Sequence, residues 1–352
     1  MEDFQLTDLY FSNLQQENND VNKEIVLVNI GFNDRKSIAN QINTIQKYHP
    51  KVIGLDAIFY HPKDSLSDQL LAQAIHQSSN IVLINKLEYT DTSKKLILNQ
   101  SDPLFSQNTP QGFSNFLAKE NQTIRYIKPS INLKGEIIES FSTQIVQHYS
   151  TEAYKAFQKR EGKIEVINFK NENFIKLDVD DLENPALITI LKDKIVLLGF
   201  MGSHIGELNF EDLYLTPLNK SFGGHSIPDM YGIEIHANII NMMLSQKYIH
   251  EFPKFWNYLI AFFLTFLNMV LFMYFSVRYV NWASHLIKIC QIVLFALLFF
   301  LSLITFHYIQ LKIEPSFLLV SVILAAEILE LYTETVLWMN KKWGFKTYFH
   351  KK

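Results

Sequence analysis

Three long apolar segments near the end of the sequence constrain its fold more than any other feature. They cover residues 255–277, 286–306 and 313–338. Each has about the 20 residues that an α-helix needs to cross the hydrocarbon core of a bilayer. Residues 1–250, by contrast, carry a charged side chain every few positions. We therefore predict a water-soluble domain joined to a three-helix transmembrane bundle, which makes the lipid bilayer the first partner of the chain.

The positions of lysine and arginine predict how these helices are oriented. A tail at residues 339–352 follows the third segment and contains five lysines. Arg278 and Lys288 lie near the loop between the first two segments, whereas the next loop has only Lys312. Loops rich in lysine and arginine stay in the cytoplasm. We therefore expect a cytoplasmic C-terminus and an extracytoplasmic domain at residues 1–250.

The N-terminus adds an expectation about the gene product. Its first residues, MEDFQLTDLYFSNLQQENND, contain no basic region followed by an apolar stretch. Export of a large domain ahead of the first membrane helix requires such a segment. We therefore expect an upstream hydrophobic segment ahead of Met1.

Strand-like and helix-like patterns alternate in the N-terminal part of the sequence. The segments between the apolar runs repeat apolar residues at helical spacing, as at Ile38, Ile42 and Ile45. Such alternation indicates parallel strands joined by helices. We predict an α/β fold with a parallel sheet in a three-layer domain. The strand-like runs are KEIVLVNIGF, KVIGLDAIFY, NIVLINKL and LKDKIVLLGFMG.

The middle of the domain, residues 91–183, has a less regular pattern, and we interpret it as an insertion. It contains one predicted helix, SFSTQIVQHYSTEAYKAF, and two short strand candidates, TIRYIKP and NENFIKLD. A last helix of the domain is predicted at YGIEIHANIINMMLSQKY, with Asp229 as its N-cap.

Acidic side chains follow two of the predicted strands. Asp56 ends the second strand, and Asp212 and Thr216 lie in the loop after KIVLLG. Open α/β sheets bind ligands at the carboxyl ends of their strands. Asp56 is a ligand-binding candidate there, although it could equally cap a turn. Asp212 and Thr216 could bind a ligand hydroxyl or a cation, but a turn that fixes the loop is slightly favoured for them.

The predicted last helix carries three polar residues in its first turns. Glu234 and Asn238 are four positions apart and share a face, whereas His236 points to another side. We include all three as ligand-binding candidates. For His236 a hydrogen-bonded, half-buried structural role is the more common alternative.

The third apolar segment contains a stripe of carboxylates. Glu327, Glu330 and Glu334 lie at positions i, i+3 and i+7 of a helix. A carboxylate inside hydrocarbon is costly unless it is paired, protonated or able to reach the interface. One interpretation is that the helix extends beyond the bilayer. This explains the carboxylate of Glu334, which would then lie in the cytoplasm, and it explains the deeper carboxylate of Glu327 least well. The other is that the stripe couples this helix to a partner.

Six strings in the soluble part stand out together: TDLYFS at 7–12, IVLVNIG at 25–31, PKVIGLDAIF at 50–59, KIVLLG at 194–199, EDLYLTP at 211–217 and YGIEIHANIINMML at 231–244. They resemble the type-2 CHASE domain, an extracytoplasmic sensory module of bacterial cyclases, histidine kinases and related membrane receptors. The three apolar segments that follow are also similar to the layout of that family. The pair DLYLTP and GIEIHAN is the most specific part of the resemblance.

The resemblance implies a multi-pass sensor of the bacterial inner (plasma) membrane. It also implies one membrane span ahead of the domain, in agreement with the upstream segment expected from the charges. The sequence departs from the family's layout because no cyclase or kinase sequence follows the third segment. We therefore expect no enzymatic output from this chain.

Several classes of function are disfavoured by composition and motifs. The net charge is −3 and no dense basic tract occurs in the soluble part, which argues against nucleic acid as a partner. No H-E-x-x-H, G-x-S-x-G or Walker A pattern is present, and the single cysteine, Cys290, lies in an apolar segment. We expect no metal, no cofactor and no catalysis.

The function that we predict is that of a membrane-anchored sensor or receptor. Its extracytoplasmic domain binds an unknown small ligand or senses envelope state, and it signals through the transmembrane helices to a membrane or cytoplasmic effector protein. A structural scaffold or docking subunit of an envelope complex is the alternative. A hydrolase that uses Asp56, Asp212 and His236 is a third and weaker one. The sequence leaves open whether the chain forms a homodimer.

Overall fold

The computed structural model describes residues 5–14, 21–89, 95–118, 122–160, 164–170, 173–207, 209–220, 227–344 and 346. The chain divides into two compact units, Met1–Tyr248 and Ile249–Lys352. Half of the predicted basic tail, including Lys351 and Lys352, lies outside the described residues.

The strands are numbered in chain order. They are β1 (Val21–Asn29), β2 (Val52–Leu55), β3 (Ile81–Tyr89), β4 (Leu96–Asn99), β5 (Gln111–Phe113), β6 (Tyr126–Ile127), β7 (Ser130–Leu133), β8 (Glu136–Glu139), β9 (Glu165–Val166), β10 (Asn173–Leu177), β11 (Ile195–Gly199), β12 (Leu213–Tyr214), β13 (Met230–Tyr231), β14 (His250–Glu251) and β15 (Leu311–Lys312).

The helices are numbered in the same way, and short non-α turns occur at Tyr10–Leu14, Asp180–Glu183 and Thr189–Leu191. The α-helices are α1 (Leu6–Leu9), α2 (Arg35–Gln46), α3 (Ser65–Gln77), α4 (Pro103–Ser106), α5 (Phe141–Tyr149), α6 (Thr151–Gln158), α7 (Pro185–Ile188), α8 (Gly232–Ser245), α9 (Lys254–Arg278), α10 (Ala283–Ile309) and α11 (Ser316–Trp343).

A mixed sheet forms the centre of the first unit. Its strands lie in the order β10, β1, β11, β2 and β3, all parallel, and β3 also pairs with β5 in parallel and with β4 in antiparallel orientation. Strands β2 and β11 and residues 25–29 of β1 are buried, as expected for strands covered on both faces. The α/β class and the parallel strands predicted from the sequence are confirmed, with β4 as the antiparallel exception.

Helices cover both faces of this sheet. On one face α2 and α3 bury Ile42 and Leu71 in a single core with side chains of β1, β2, β3 and β11. On the other face α5 and α8 pack on the sheet. A Cβ on Gly199 would lie 2.7 Å from Cβ of Ile233, so a glycine is needed where α8 meets β11. The result is the three-layer arrangement that the alternating pattern predicted.

The middle of the domain differs from the prediction in two respects. The expected single helix is broken at Ser150, which ends α5 and whose hydroxyl accepts a hydrogen bond from Ala153 N at the start of α6. The strand candidate NENFIKLD forms β10, which is an edge of the central sheet. Residues 91–183 are therefore not simply an insertion, because they supply β4, β5 and β10 to the sheet.

Three long helices dominate the second unit. α9, α10 and α11 are long and apolar enough to cross a membrane by length and composition. A core formed by Phe272 of α9 with Ala325 and Leu329 of α11 holds them together. At one end of the bundle β14 pairs with β15.

Candidate functional site

A cavity of about 410 Å³ opens at the carboxyl edge of the central sheet. Its walls come from the ends of β2 and β3, the segment after β5, the loop around β12 and the first turns of α8. We call it the aspartate cavity. Its polar and aromatic lining includes Asp56, Lys86, Phe116, Asp212, Tyr214 and His236.

Asp56 follows β2 directly and faces the cavity. Its backbone N–H donates to the carbonyl of Leu198 on β11 at 2.8 Å, which fixes the residue at the end of the sheet. Its carboxylate accepts no hydrogen bond from any other described residue. Burial, and then the negative charge of Asp212, raise the pKa of Asp56 to about 8, while Lys86 opposes the shift. Asp56 is thus a carboxyl group held without the partners that would stabilise its charge.

Asp212 reaches the same cavity from a strained loop. Its backbone is left-handed, with a φ of 56°, and its carbonyl accepts a hydrogen bond from Gly232 N at 3.0 Å. A Cβ on Gly232 would lie only 2.8 Å from Oδ2 of Asp212, so a larger residue at the start of α8 would displace the Asp212 carboxylate. The hydroxyl of Tyr214 donates to Oδ1 at 3.0 Å. Burial still raises the pKa of the Asp212 carboxyl.

His236 forms part of the cavity floor but is itself almost fully buried. Its ring centroid lies 4.7 Å from that of Phe116 and 5.1 Å from that of Phe141. Nδ1 is 2.9 Å from the hydroxyl of Ser142, and the ring also hydrogen-bonds the backbone of Ser114. Burial lowers the pKa of His236 to about 3, so the imidazole is neutral at physiological pH.

Thr216 lies in the loop after Asp212 but does not line the aspartate cavity. Its N–H donates to Asp229 Oδ1 at 2.8 Å and its hydroxyl to Oδ2 at 2.6 Å. These bonds join the residues that directly follow β12 to the residue that directly precedes β13. Asp229 was predicted as the N-cap of α8. That prediction is wrong, because Asp229 is used to hold Thr216 and the helix begins three residues later at Gly232.

Glu234 and Asn238 also lie away from the aspartate cavity. Glu234 accepts a hydrogen bond from Tyr231 N at 3.1 Å and forms an ion pair with Lys176. Asn238 is buried; its amide donates to the carbonyl of Glu234 at 3.0 Å and its Oδ1 accepts from Lys170 N at 3.2 Å. Both side chains fix the start of α8 against neighbouring segments.

The structure therefore brings Asp56, Asp212 and His236 together and separates them from the other soluble-domain candidates. In the second unit Glu327, Glu330 and Glu334 are exposed on α11. The packed face of that helix is formed by other residues, among them Ala325 and Leu329.

Three cavity residues were missed by the sequence analysis. Tyr214 lies within the DLYLTP string, and its hydrogen bond to Asp212 depends on the left-handed turn, which the sequence does not show. Phe116 follows β5 in a turn-rich segment and gave no signal. Lys86 could have been found from the sequence, because it is the single charged residue in the apolar run NIVLINKL.

Asn29, at the end of β1, is a further polar residue that the sequence analysis missed. It is fully buried, and its side chain donates to Asp178 Oδ1 and to the carbonyl of Gly202. Its Oδ1 accepts from the N–H groups of Gly31 and Met201. Asn29 thus ties together the loops that follow three adjacent strands, which gives the carboxyl edge a rigid frame.

Comparison with known protein families gives one match. The sequence model described as the CHASE2 domain matches residues 3–271, which is more than half of the chain and includes all of the aspartate cavity. CHASE2 domains are extracytoplasmic sensory domains. No curated protein and no solved structure matches the chain.

Proposed function

The chain belongs to the CHASE2 domain family, and from this premise we propose that its soluble domain is a ligand sensor. The ligand is a small molecule held in the aspartate cavity, and its binding is passed through the membrane helices to an effector protein. The observation that carries this proposal is that Asp56 and Asp212, far apart in sequence, face one cavity of about 410 Å³. Carboxyl edges of such sheets are the usual place for ligands.

The chemistry of the lining favours a ligand with a cationic group. The two carboxyl groups are close enough for their charges to disfavour ionisation, and the carboxylate of Asp56 has no hydrogen-bond partner among the described residues. An organic cation would relieve both effects. The rings of Phe116 and Tyr214, 5.5 Å apart, supply faces on which an ammonium group and its carbon chain can pack. A small organic amine therefore fits the cavity better than an anion.

The proposal assigns binding rather than catalysis to this cavity. His236 would be the natural base of a hydrolase, but its Nδ1 is hydrogen-bonded to the Ser142 hydroxyl and burial lowers its pKa to about 3. A base with a pKa of about 3 takes up a proton poorly at neutral pH. The environment of His236 suits a structural role in the wall of the cavity.

A route for transmission follows from the connection between the cavity and α8. Asp212 contacts Gly232, the first residue of α8, and α8 is the last helix before the membrane unit in the sequence. A ligand that moves Asp212 would shift the start of α8. The chain from the end of α8 at Ser245 to the start of α9 at Lys254 would pass that shift on.

The orientation that we propose is a cytoplasmic C-terminus in the inner membrane. Arg278, Lys288, Lys341 and Lys342 lie at or near one end of the bundle. At the other end Lys312 is buried and its ammonium group lies 3.6 Å from Glu251. The positive-inside rule places the first end in the cytoplasm.

The ligand proposal can be tested by thermal unfolding of the full chain in detergent, with ethanolamine, putrescine and choline as probes. Ethylene glycol is the neutral match for ethanolamine. We expect at least one amine to raise the Tm of the wild type, because a ligand at 100 times its Kd adds about 2.7 kcal/mol of stability. Ethylene glycol should have no effect.

The variants Asp56→Asn and Asp212→Asn should lose this stabilisation. Asp180→Asn is the matched control, since Asp180 is an exposed aspartate outside the cavity and should respond like the wild type. Equal stabilisation of all four proteins would place the binding site elsewhere. Failure of every amine to stabilise the wild type would contradict a cationic ligand.

A docking role is a second candidate, supported by exposed aromatic side chains on the same domain. Phe32 is 67% exposed and its ring lies 5.0 Å from that of Phe200, and Phe210 is 62% exposed. Large exposed aromatic groups are typical of protein interaction sites. If no small molecule stabilises the chain while a Phe32→Ser variant loses a copurifying protein, docking becomes the better account.

A further inference from the structure

Lys86 is the one positively charged side chain among the described residues that line the aspartate cavity. It lies on β3, beside the strand that ends at Asp56. Leu83 of β3 pairs with Leu55 of β2, so the same register sets Asp56 beside residue 84. Lys86 is two residues further on, which returns its side chain to the face of Asp56. The two residues are thus offset by roughly 7 Å along the strands and about 5 Å across them.

The strand around Lys86 is fixed by neighbouring segments, whereas its charge is not. The side chain of Asn115 accepts a hydrogen bond from Leu87 N at 2.7 Å and donates one to the Leu87 carbonyl at 3.0 Å. Lys86 itself pairs with Asn99 of β4. Its side chain is exposed, and its ammonium group forms no hydrogen bond or ion pair with another described residue. The backbone is therefore held in place while the charge is available to a bound molecule.

The charge of Lys86 acts against a ligand that is only a cation. Burial raises the pKa of both Asp56 and Asp212, and Lys86 is close enough to oppose the rise in both. An ammonium group placed between these carboxyl groups is then also within range of Lys86, which repels it. A carboxylate on the same ligand would replace part of this repulsion by a charge-assisted hydrogen bond to Lys86. A ligand with both groups uses all three charged residues.

We propose that the aspartate cavity selects a zwitterionic amino acid over a simple amine, and that Lys86 determines this specificity. Asp56 and Asp212 hold the ammonium group of the ligand, and Lys86 binds its carboxylate. A volume of about 410 Å³ is within the range of small-molecule sites. This specificity rests on the proposed function, because it assigns the ammonium group to the same two carboxyl groups and adds a partner for a second group.

The test compares amino acids with their amides, which keep the ammonium group and nearly the same size but lose the negative charge. Leucine with leucinamide, and γ-aminobutyrate with γ-aminobutyramide, cover a short and a longer separation of the two charges. Isothermal titration calorimetry of the full chain in detergent gives the Kd of each probe. For the wild type we expect at least one acid to bind at least about tenfold more tightly than its amide, which corresponds to about 1.4 kcal/mol.

The variant Lys86→Met should lose this preference, because methionine keeps an unbranched side chain without the charge. The ratio of acid to amide is taken within each protein, so a change in the two aspartates affects both probes alike. Lys86→Arg should retain the preference. Lys192→Met is the matched control, since Lys192 is an exposed lysine outside the cavity. If Lys86→Met impairs folding, Lys86→Gln is the second neutral variant.

The outcomes separate this specificity from the amine site on which it rests. Equal affinity of the wild type for each acid and its amide would overturn the role of Lys86 and leave the amine site intact. A preference for the acid that persists in Lys86→Met and Lys86→Gln would also overturn it. Failure of acids and amides alike to bind the wild type would contradict the proposed function itself.

Discussion

Asp56 and Asp212 are carboxylates in an environment that stabilises a charge poorly. Asp56 has no hydrogen-bond donor among the described residues, whereas Asp212 has the Tyr214 hydroxyl. Burial is the largest cause of the raised pKa of both groups. Unpaired, buried carboxyl groups reduce stability unless a bound molecule satisfies them. They are therefore better explained by binding than by folding.

The raised pKa of Asp56 predicts a pH dependence of stability. Its pKa is about 8 in the folded chain and 3.8 for the ordinary group, so the folded state binds more protons between these values. Stability should therefore fall as the pH rises through this window, by at most about 1.4 kcal/mol per pH unit. Asp56→Asn removes this contribution. The Tm of the variant minus the Tm of the wild type should therefore increase from pH 5 to pH 8.

Thermal unfolding of the full chain in detergent over this pH range checks the prediction. A change of 1 kcal/mol corresponds to roughly 2–4 °C in Tm for a domain of about this size. Asp180→Asn serves as the control, and its Tm should differ from that of the wild type by the same amount at every pH. A Tm difference for Asp56→Asn that does not vary with pH would contradict the raised pKa.

Part of the site could be predicted at the level of residues. Asp56 and Asp212 were found because an acidic residue that follows an apolar strand lies at the carboxyl edge of a parallel sheet. Thr216 and Glu234 are also polar residues near that edge, but Thr216 donates a hydrogen bond to Asp229 and Glu234 accepts one from Tyr231 N. Which polar group faces a cavity depends on loop conformation, such as the left-handed backbone of Asp212, and spacing alone does not contain that information.

At the level of elements, periodic patterns predicted the helices and strands whose burial is regular. The spacing of Ile38, Ile42 and Ile45 gave α2, whose apolar face is buried as expected. The pattern failed at Ser150, because a residue that can cap a second helix also fits inside a continuous helical repeat. It did predict the strand β10, but not its place at the edge of the central sheet, because pairing with β1 is a long-range contact that no local pattern encodes.

At the level of the whole molecule, a sensory domain is joined to helices able to span a membrane. The orientation of these helices was derived from charge alone, and it predicts which parts of the chain are reachable from outside the cell. Residues of the first unit should be outside, and the end of α11 inside.

Cysteine labelling of intact cells tests this orientation. In a background with Cys290→Ser, a cysteine at the exposed Asp180 should react with a membrane-impermeant reagent without lysis. A cysteine at Lys346 should react only after lysis. Labelling at Lys346 in intact cells, together with protection at Asp180, would reverse the orientation.

The central claim is that a ligand in the aspartate cavity changes the connection to the membrane helices. Hydrogen exchange of the full chain in lipid nanodiscs, with and without the amine that stabilises it most, measures this directly. We predict slower exchange at residues 212–216, in the first turn of α8 and at residues 246–253 between α8 and α9, and no such change in Asp56→Asn. Protection confined to other parts of the chain, or the same protection in Asp56→Asn, would contradict the account.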